Sequence, residues 1–243
     1  MINGTSDDGS GIIGILNVAK HLTKFRVNNA VRFAFWSAEE FGLLGSYFYI
    51  KSINGSETEL AKVRAYLNFD MIASPNYVYA IYDGDGSAFN VTGPAGSDVI
   101  EKDFAAFFAS HNTPSVPTEF SGRSDYAGFI ENGIPSGGLF TGAEELKTEE
   151  EAKLFGGTAG VAYDVNYHKK GDTVENLALD AFLLNTKAIA DSVAKYATSF
   201  SSLPAVEAKT RRWDADRARM MKRSVSSHGH AHTHSGPCGG YEI

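Results

Sequence analysis

Two apolar runs that stop on acids constrain this chain more than any other feature. Residues 31–36 read Val-Arg-Phe-Ala-Phe-Trp and close on Ser37-Ala38-Glu39-Glu40, while residues 63–70 run Val-Arg-Ala-Tyr-Leu-Asn-Phe and close on Asp70. Short runs rich in aromatic and β-branched residues predict buried strands. Adjacent residues at a strand's end point to opposite sides, so Glu39 and Glu40 can hold different roles in one cleft. In open α/β sheets, ligands bind beyond the carboxyl ends of the strands, where Glu40 and Asp70 would fall.

The sequence around these runs alternates between the two periodicities. After Gly4-Thr5-Ser6-Asp7-Asp8-Gly9, apolar residues Ile12, Ile13, Ile15, Leu16, Val18, Ala19 and Leu22 recur at helical spacing, so a helix is predicted from about Ser10, with both acids on the loop at its entrance. Residues 41–53 read as a helix, 77–82 as a strand ended by the turn Asp83-Gly84-Asp85-Gly86, and 97–111 as an amphipathic helix. Residues 123–131 read as a short helix, 134–140 as a glycine-containing strand and 177–196 as a long final helix. Strands alternating with helices predict an α/β fold, a three-layer αβα sandwich around a mostly parallel mixed sheet.

At 243 residues the chain can bury a good core, and one domain over residues 1–200 is expected. From about Ser201 basic residues crowd together, followed by Ser-His-Gly-His-Ala-His-Thr-His-Ser-Gly; residues 201–243 are expected to form a basic, His-rich, disordered tail. The net charge of −7 argues against a nucleic-acid footprint over the domain, and no apolar run reaches the roughly 20 residues of a membrane span. Cys238 is the single cysteine, so no internal disulfide forms. Three N-x-Ser/Thr sequons, at Asn3, Asn54 and Asn90, suit a secreted protein, although Met1-Ile2-Asn3-Gly4 has no signal-peptide character.

Acids at loop and strand ends become a candidate centre only if a histidine joins them. Of seven histidines, His21 and His111 fall on predicted helices and four lie in the tail. His168 sits on a polar loop, in Tyr167-His168-Lys169-Lys170-Gly171-Asp172-Thr173, before the last helix. Asp7 or Asp8, Glu39 or Glu40, Asp70 and His168 thus form a mixed carboxylate and imidazole set, which suits zinc. A glutamate beside a ligand glutamate supplies a general base. Each motif alone has an ordinary reading: Asp7-Asp8-Gly9-Ser10 as a turn and helix cap, Asp70 as a surface acid, His168 as a solvated loop residue.

Taken in order, Ser-Asp-Asp-Gly-Ser-Gly, Ser-Ala-Glu-Glu-Phe-Gly-Leu-Leu-Gly-Ser, Asn-Phe-Asp-Met-Ile, Gly-Arg-Ser-Asp-Tyr, Gly-Leu-Phe-Thr-Gly-Ala-Glu and Tyr-His resemble the M28 zinc aminopeptidases of the leucine aminopeptidase and aminopeptidase Y type, from about residue 4 to residue 199. The resemblance implies hydrolysis of the N-terminal, leucine-like residue of peptides with a free N-terminus. It implies that Asp7 bridges two zinc ions and is joined to Asp8 by a cis peptide, that Glu40 and His168 complete one zinc site, and that Asp70 serves the other zinc and the substrate amine. Glu39 would be the general base, Tyr167 the oxyanion donor, Arg123 a neighbour of the peptide amine and Phe140 a wall of the side-chain pocket. A secreted or vacuolar location follows from the same resemblance.

Two departures stand out. The family carries a first histidine in a His-x-Asp motif upstream of the Asp-Asp-Gly-Ser-Gly loop, and only six residues precede Asp7 here. The early strands of the family fold are therefore expected to be lacking, with one zinc bound well by Asp7, Glu40 and His168 and the second weakly or not at all. Near His168, Asn166 and Gly171 stand where many secreted relatives have a disulfide. Two other classes fit the same residues: a glutaminyl-cyclase-like acyl-transfer enzyme with one zinc, and a non-catalytic or truncated homologue acting as a binding module.

Overall fold

The computed structural model describes residues 4–205. Seven α-helices and four strands are placed there: α1 (Ser10–Leu22), α2 (Leu44–Asn54), α3 (Glu57–Lys62), β1 (Tyr66–Phe69), β2 (Ala80–Tyr82), α4 (Ser97–Ser110), β3 (Val116–Thr118), α5 (Ala127–Glu131), β4 (Ser136–Phe140), α6 (Glu149–Phe155) and α7 (Leu179–Thr198). The strands form one mixed sheet in the order β1-β4-β2-β3. β1 pairs parallel with β4 and β2 parallel with β3, while the central β2–β4 pairing is antiparallel.

The alternation of side chains along the strands sorts the core into two faces. Ile81 and Leu139 join α1, α4 and α7 on one face; their neighbours Tyr82 and Phe140 turn to the other and meet Leu43, Phe120, Tyr126 and Ile130. The first face is filled by Ile100, Phe104, Phe107 and Phe108 of α4, and by Ala181, Ala188, Ile189, Val193 and Tyr196 of α7. Those positions recur at helical spacing, and each fully buried Phe contributes about 1.5–3 kcal/mol relative to exposure. On the second face, Phe129 of α5 stacks on Tyr66 with ring centroids 3.7 Å apart. Helices on both sides of a mixed sheet give the α/β sandwich expected from the sequence.

One expected strand is absent. Residues 31–36 carry no ladder, although Val31 and Phe33 pack on the first face and Trp36 on the second, as strand residues would. A strand exists only through hydrogen bonds to a neighbour, and among the described residues none lies beside this segment. Instead a cavity of about 820 Å³ separates residues 30–36 from residues 63–70. The helix expected at 41–53 begins later, at Leu44, because Ala38, Gly42 and Leu43 all adopt left-handed backbone conformations. β3, α3 and α6 are additions to the expected elements. Leu203, just past the expected domain boundary, is buried in the first core face. From residue 206 the expected tail lies outside the described residues.

Candidate metal centre

The centre is assembled by three loops and the end of β1. Asp7 sits in the turn Thr5–Gly9 that feeds α1, and the Asp7–Asp8 peptide is cis. Asp8 faces away from Asp7's partners: its Oδ1 accepts the amides of Gly11 (3.0 Å) and Met71 (3.1 Å), tying the turn to the end of β1. Gly11 permits this approach, since a Cβ there would lie 1.9 Å from the Phe69 carbonyl oxygen. The Ser10 hydroxyl donates to the Ser6 carbonyl and accepts the Ile72 amide, a second tie between the same segments.

Glu39 and Glu40 lie in a single 3-10 turn, Glu39–Phe41, rather than at the end of a strand. The turn still sends them different ways. Glu40 reaches His168, whose Nε2 is 2.7 Å from Glu40 Oε1 and 3.0 Å from Asp7 Oδ2. Glu39 faces the cavity, whose walls also include Asp7, Asp70 and Asp125. His168 occupies a left-handed backbone position and stacks on the Tyr167 ring, centroids 3.8 Å apart.

Asp70 closes β1 as expected and ends a relay of hydrogen bonds. The Trp36 indole donates to the Tyr66 hydroxyl, which donates to Asn68; the Asn68 amide donates to Ser124, whose hydroxyl donates to Asp70 Oδ2 at 2.6 Å. Asp70 Oδ1, by contrast, is buried without a hydrogen-bond partner. Arg123 pairs with Glu144 (2.7 Å) and Glu145 (3.2 Å) and lies 3.4 Å from the Tyr167 hydroxyl. Phe140, at the end of β4, packs in the aromatic cluster of Tyr82, Phe120 and Tyr126.

Crowding of carboxylates shapes the electrostatics. Burial, reinforced by Asp70 and Glu40, pushes the Glu39 carboxyl up to about 9. Burial and the nearby Asp7 raise Asp70 to about 7, against the lowering effect of the Ser124 hydroxyl. Asp8 and Glu40 are raised too, in each case mainly by burial. The His168 imidazole is raised, chiefly by the Asp7 carboxylate beside it.

This donor set fits a zinc ion on the geometry of the chain alone. One donor atom each from Asp7, Glu40 and His168 lies within 4.8 Å of the others, yet His168 Nε2 is buried and too oblique to either carboxylate for a well-formed hydrogen bond. Three donors converging on a point without satisfying one another match the three-ligand set of a catalytic zinc with a fourth position open. Asp70 stands outside that trio, on the adjoining cavity wall. Among the residues named from sequence, Asp7, Glu40 and His168 are brought together; Glu39 and Asp70 flank them, Tyr167 stacks on His168 with Arg123 beside its hydroxyl, and Phe140 packs half-buried against the core. Ser124 and Asp172 carry hydrogen bonds to Asp70 and to the Asp7 turn, and neither had a role in the sequence reading. Ser124 lay inside Gly-Arg-Ser-Asp-Tyr, and Asp172 four residues past His168, so their positions were marked although their contacts were not.

The fold and the site together define an α/β sandwich with a candidate metal centre of carboxylates and one histidine on the loops beside the end of β1. The model of peptidase family M28 matches residues 2–193, and the chain belongs to that family. It is 59% identical over 239 residues to "Probable leucine aminopeptidase 2" of Aspergillus fumigatus, a match covering 98% of this chain and 46% of that protein. It is 55% identical over 240 residues to "Leucine aminopeptidase 2" of Arthroderma otae, covering 99% of this chain and 46% of that one. The chain thus spans less than half the length of the curated relatives it matches. A zinc aminopeptidase from Bacillus subtilis shares the fold, with a TM-score of 0.64 at 22% identity over 88% of this chain and 46% of that one.

Proposed function

We propose that this chain carries the catalytic centre of a zinc aminopeptidase that removes the N-terminal residue, apolar and leucine-like, from peptides. The observation that carries the reading is the convergence of Asp7, Glu40 and His168, with Glu39 on the adjoining cavity wall. Asp7, Glu40 and His168 would hold one zinc, which when bound acts as a Lewis acid on the scissile carbonyl and on water. The Asp7, Glu40 and His168 set supports one tightly held ion at this centre, with Asp70 at the edge of a weaker second position.

The chain's own groups divide the remaining work. Glu39, on the cavity wall beside the three ligands, takes a proton from the attacking water and returns it to the leaving amine. The Tyr167 hydroxyl donates to the oxygen that becomes negative in the tetrahedral state, and Arg123, 3.4 Å from that hydroxyl, orients it. The unpartnered oxygen of Asp70 accepts from the substrate's free ammonium. Phe140, half-buried at the end of β4, would be the apolar surface nearest the substrate's side chain. Export fits the exposed sequon asparagines Asn54 and Asn90.

Zinc content and hydrolysis of a leucyl anilide, measured together on this chain, test the reading. About one zinc per chain with turnover supports it; turnover unaffected by complete zinc removal overturns it. Cyclisation of an N-terminal glutamine in place of hydrolysis would assign the centre to acyl transfer.

A further inference from the structure

The loop after His168 reaches across to the turn that carries Asp7. Asp172, only 1% exposed, accepts the Ser6 amide on Oδ1 at 2.7 Å and the Asp7 amide on Oδ2 at 3.2 Å. The loop between His168 and Asp172 is itself closed, with the Lys169 amide bonded to the Asn166 carbonyl and the Asp172 amide to the Lys169 carbonyl. The result is a ring: His168, three residues of tightly turned backbone, Asp172, the Asp7 amide, the Asp7 carboxylate, and His168 Nε2 again at 3.0 Å.

We infer that Asp172 is a positioning residue for the centre, setting the separation between the Asp7 carboxylate and the His168 imidazole through the two amides it holds. The inference rests on the zinc reading above and goes beyond it, because Asp172 touches neither of the two side chains it places. A carboxylate suits the task for a stated reason. Two parallel N–H groups need two acceptors, and of the side chains of this size only Asp presents both on one short arm. An asparagine would satisfy one amide and turn its own N–H₂ toward the other. Ligands held by such supporting contacts typically lose 10–100-fold in metal affinity when the support is removed.

Cobalt titration of the full chain, followed by visible absorption, tests this without relying on turnover. Asp172→Asn and Asp172→Glu are compared with Asp103→Asn, which alters a half-buried aspartate that accepts from the Lys195 ammonium and the Tyr196 hydroxyl and stands in neither cluster of metal-ligating side chains among the described residues. In Asp172→Asn, cobalt affinity should fall roughly 10–100-fold and the absorption band should change intensity. Asp172→Glu keeps both acceptors on a longer arm, so it should fold and still shift the band. Asp103→Asn should lower the melting temperature and leave the cobalt spectrum as it was. Cobalt affinity within twofold of wild type and an unchanged band in both Asp172 variants would make Asp172 merely structural and overturn the inference while the metal reading stands. A wild-type chain that takes up no cobalt would overturn the metal reading, and the inference with it.

Discussion

Replacing His168 by alanine tests the metal centre at its narrowest point, where one imidazole nitrogen faces two carboxylates at 2.7 and 3.0 Å. An ion that binds only the folded chain stabilises it by about 2.7 kcal/mol at a free concentration 100-fold above Kd. For a folded region of this size, one kcal/mol moves Tm by about 2–4 °C, so zinc should raise the melting temperature by about 5–11 °C over a chelated sample. Loss of a supporting contact already costs 10–100-fold in affinity, and loss of a ligand should cost at least 100-fold. At the same zinc concentration the variant would then sit near its own Kd, where stabilisation is about 0.4 kcal/mol and the shift no more than about 2 °C. The assay is thermal unfolding with zinc or EDTA at pH 6, 7.5 and 9. Without metal, the folded chain holds Asp70 at about 7 and Glu39 at about 9, above the ordinary carboxylate range near 4. The folded state therefore binds more protons than the unfolded one in that window. The stability these groups contribute is complete below about pH 4 and is lost as pH rises through 7 and then 9. The chelated protein should melt lower at pH 9 than at pH 6, and the gain from zinc should be larger at pH 9. A zinc shift of equal size in His168→Ala, or a chelated Tm that rises with pH, would refute the reasoning.

Glu39→Gln keeps the shape and removes the base, so kcat for a leucyl anilide should drop by about 10²–10⁴ with zinc content unchanged; equal activity would remove Glu39 from that role. Tyr167→Phe removes one hydroxyl donor and should lower kcat by about 10²–10³ with KM nearly constant, as steady-state kinetics would show. Gly11→Ala places a Cβ 1.9 Å from the Phe69 carbonyl oxygen, so the α1–β1 approach must open. A loss of about 1–3 kcal/mol in urea unfolding is expected, with weaker zinc binding because Asp8 anchors on the same amide.

The parts of the fold that could be read in the sequence are those whose pattern is local. The α4 and α7 faces announce themselves by spacing, and Asp70 was visible because an apolar run stopped on it. Residues 31–36 have the same apolar signature as β1, but a strand is a relation between two segments, and a single run cannot reveal whether its neighbour is present. β3 was missed because it is three residues long with Pro117 at its centre, which an edge strand tolerates. α6 was legible in principle: Thr148 and Glu151 form a capping box, the reciprocal pair that marks a helix start. In the site, residue type and order point to Asp7 or Asp8, Glu39 or Glu40, and His168; the family resemblance chooses Asp7 and Glu40, the two that lie against His168. Asp172 and Ser124 were not, because their function is a hydrogen bond across 165 and 54 residues of chain, which no local pattern encodes.

The bridge from Asp172 to the Asp7 turn has a kinetic consequence. It joins the first described turn of the chain to the loop that precedes α7, a separation of 165 residues, and Asp7 and His168 meet over nearly the same span. Closing a loop of that length costs about 4–5 kcal/mol in chain entropy beyond a constant, and nothing repays it until the intervening sheet has formed. The ion's ligands therefore come together at the end of folding. Zinc added to the unfolded chain should leave the refolding rate untouched and slow unfolding instead, making the metal a lock on the finished molecule rather than a seed for it.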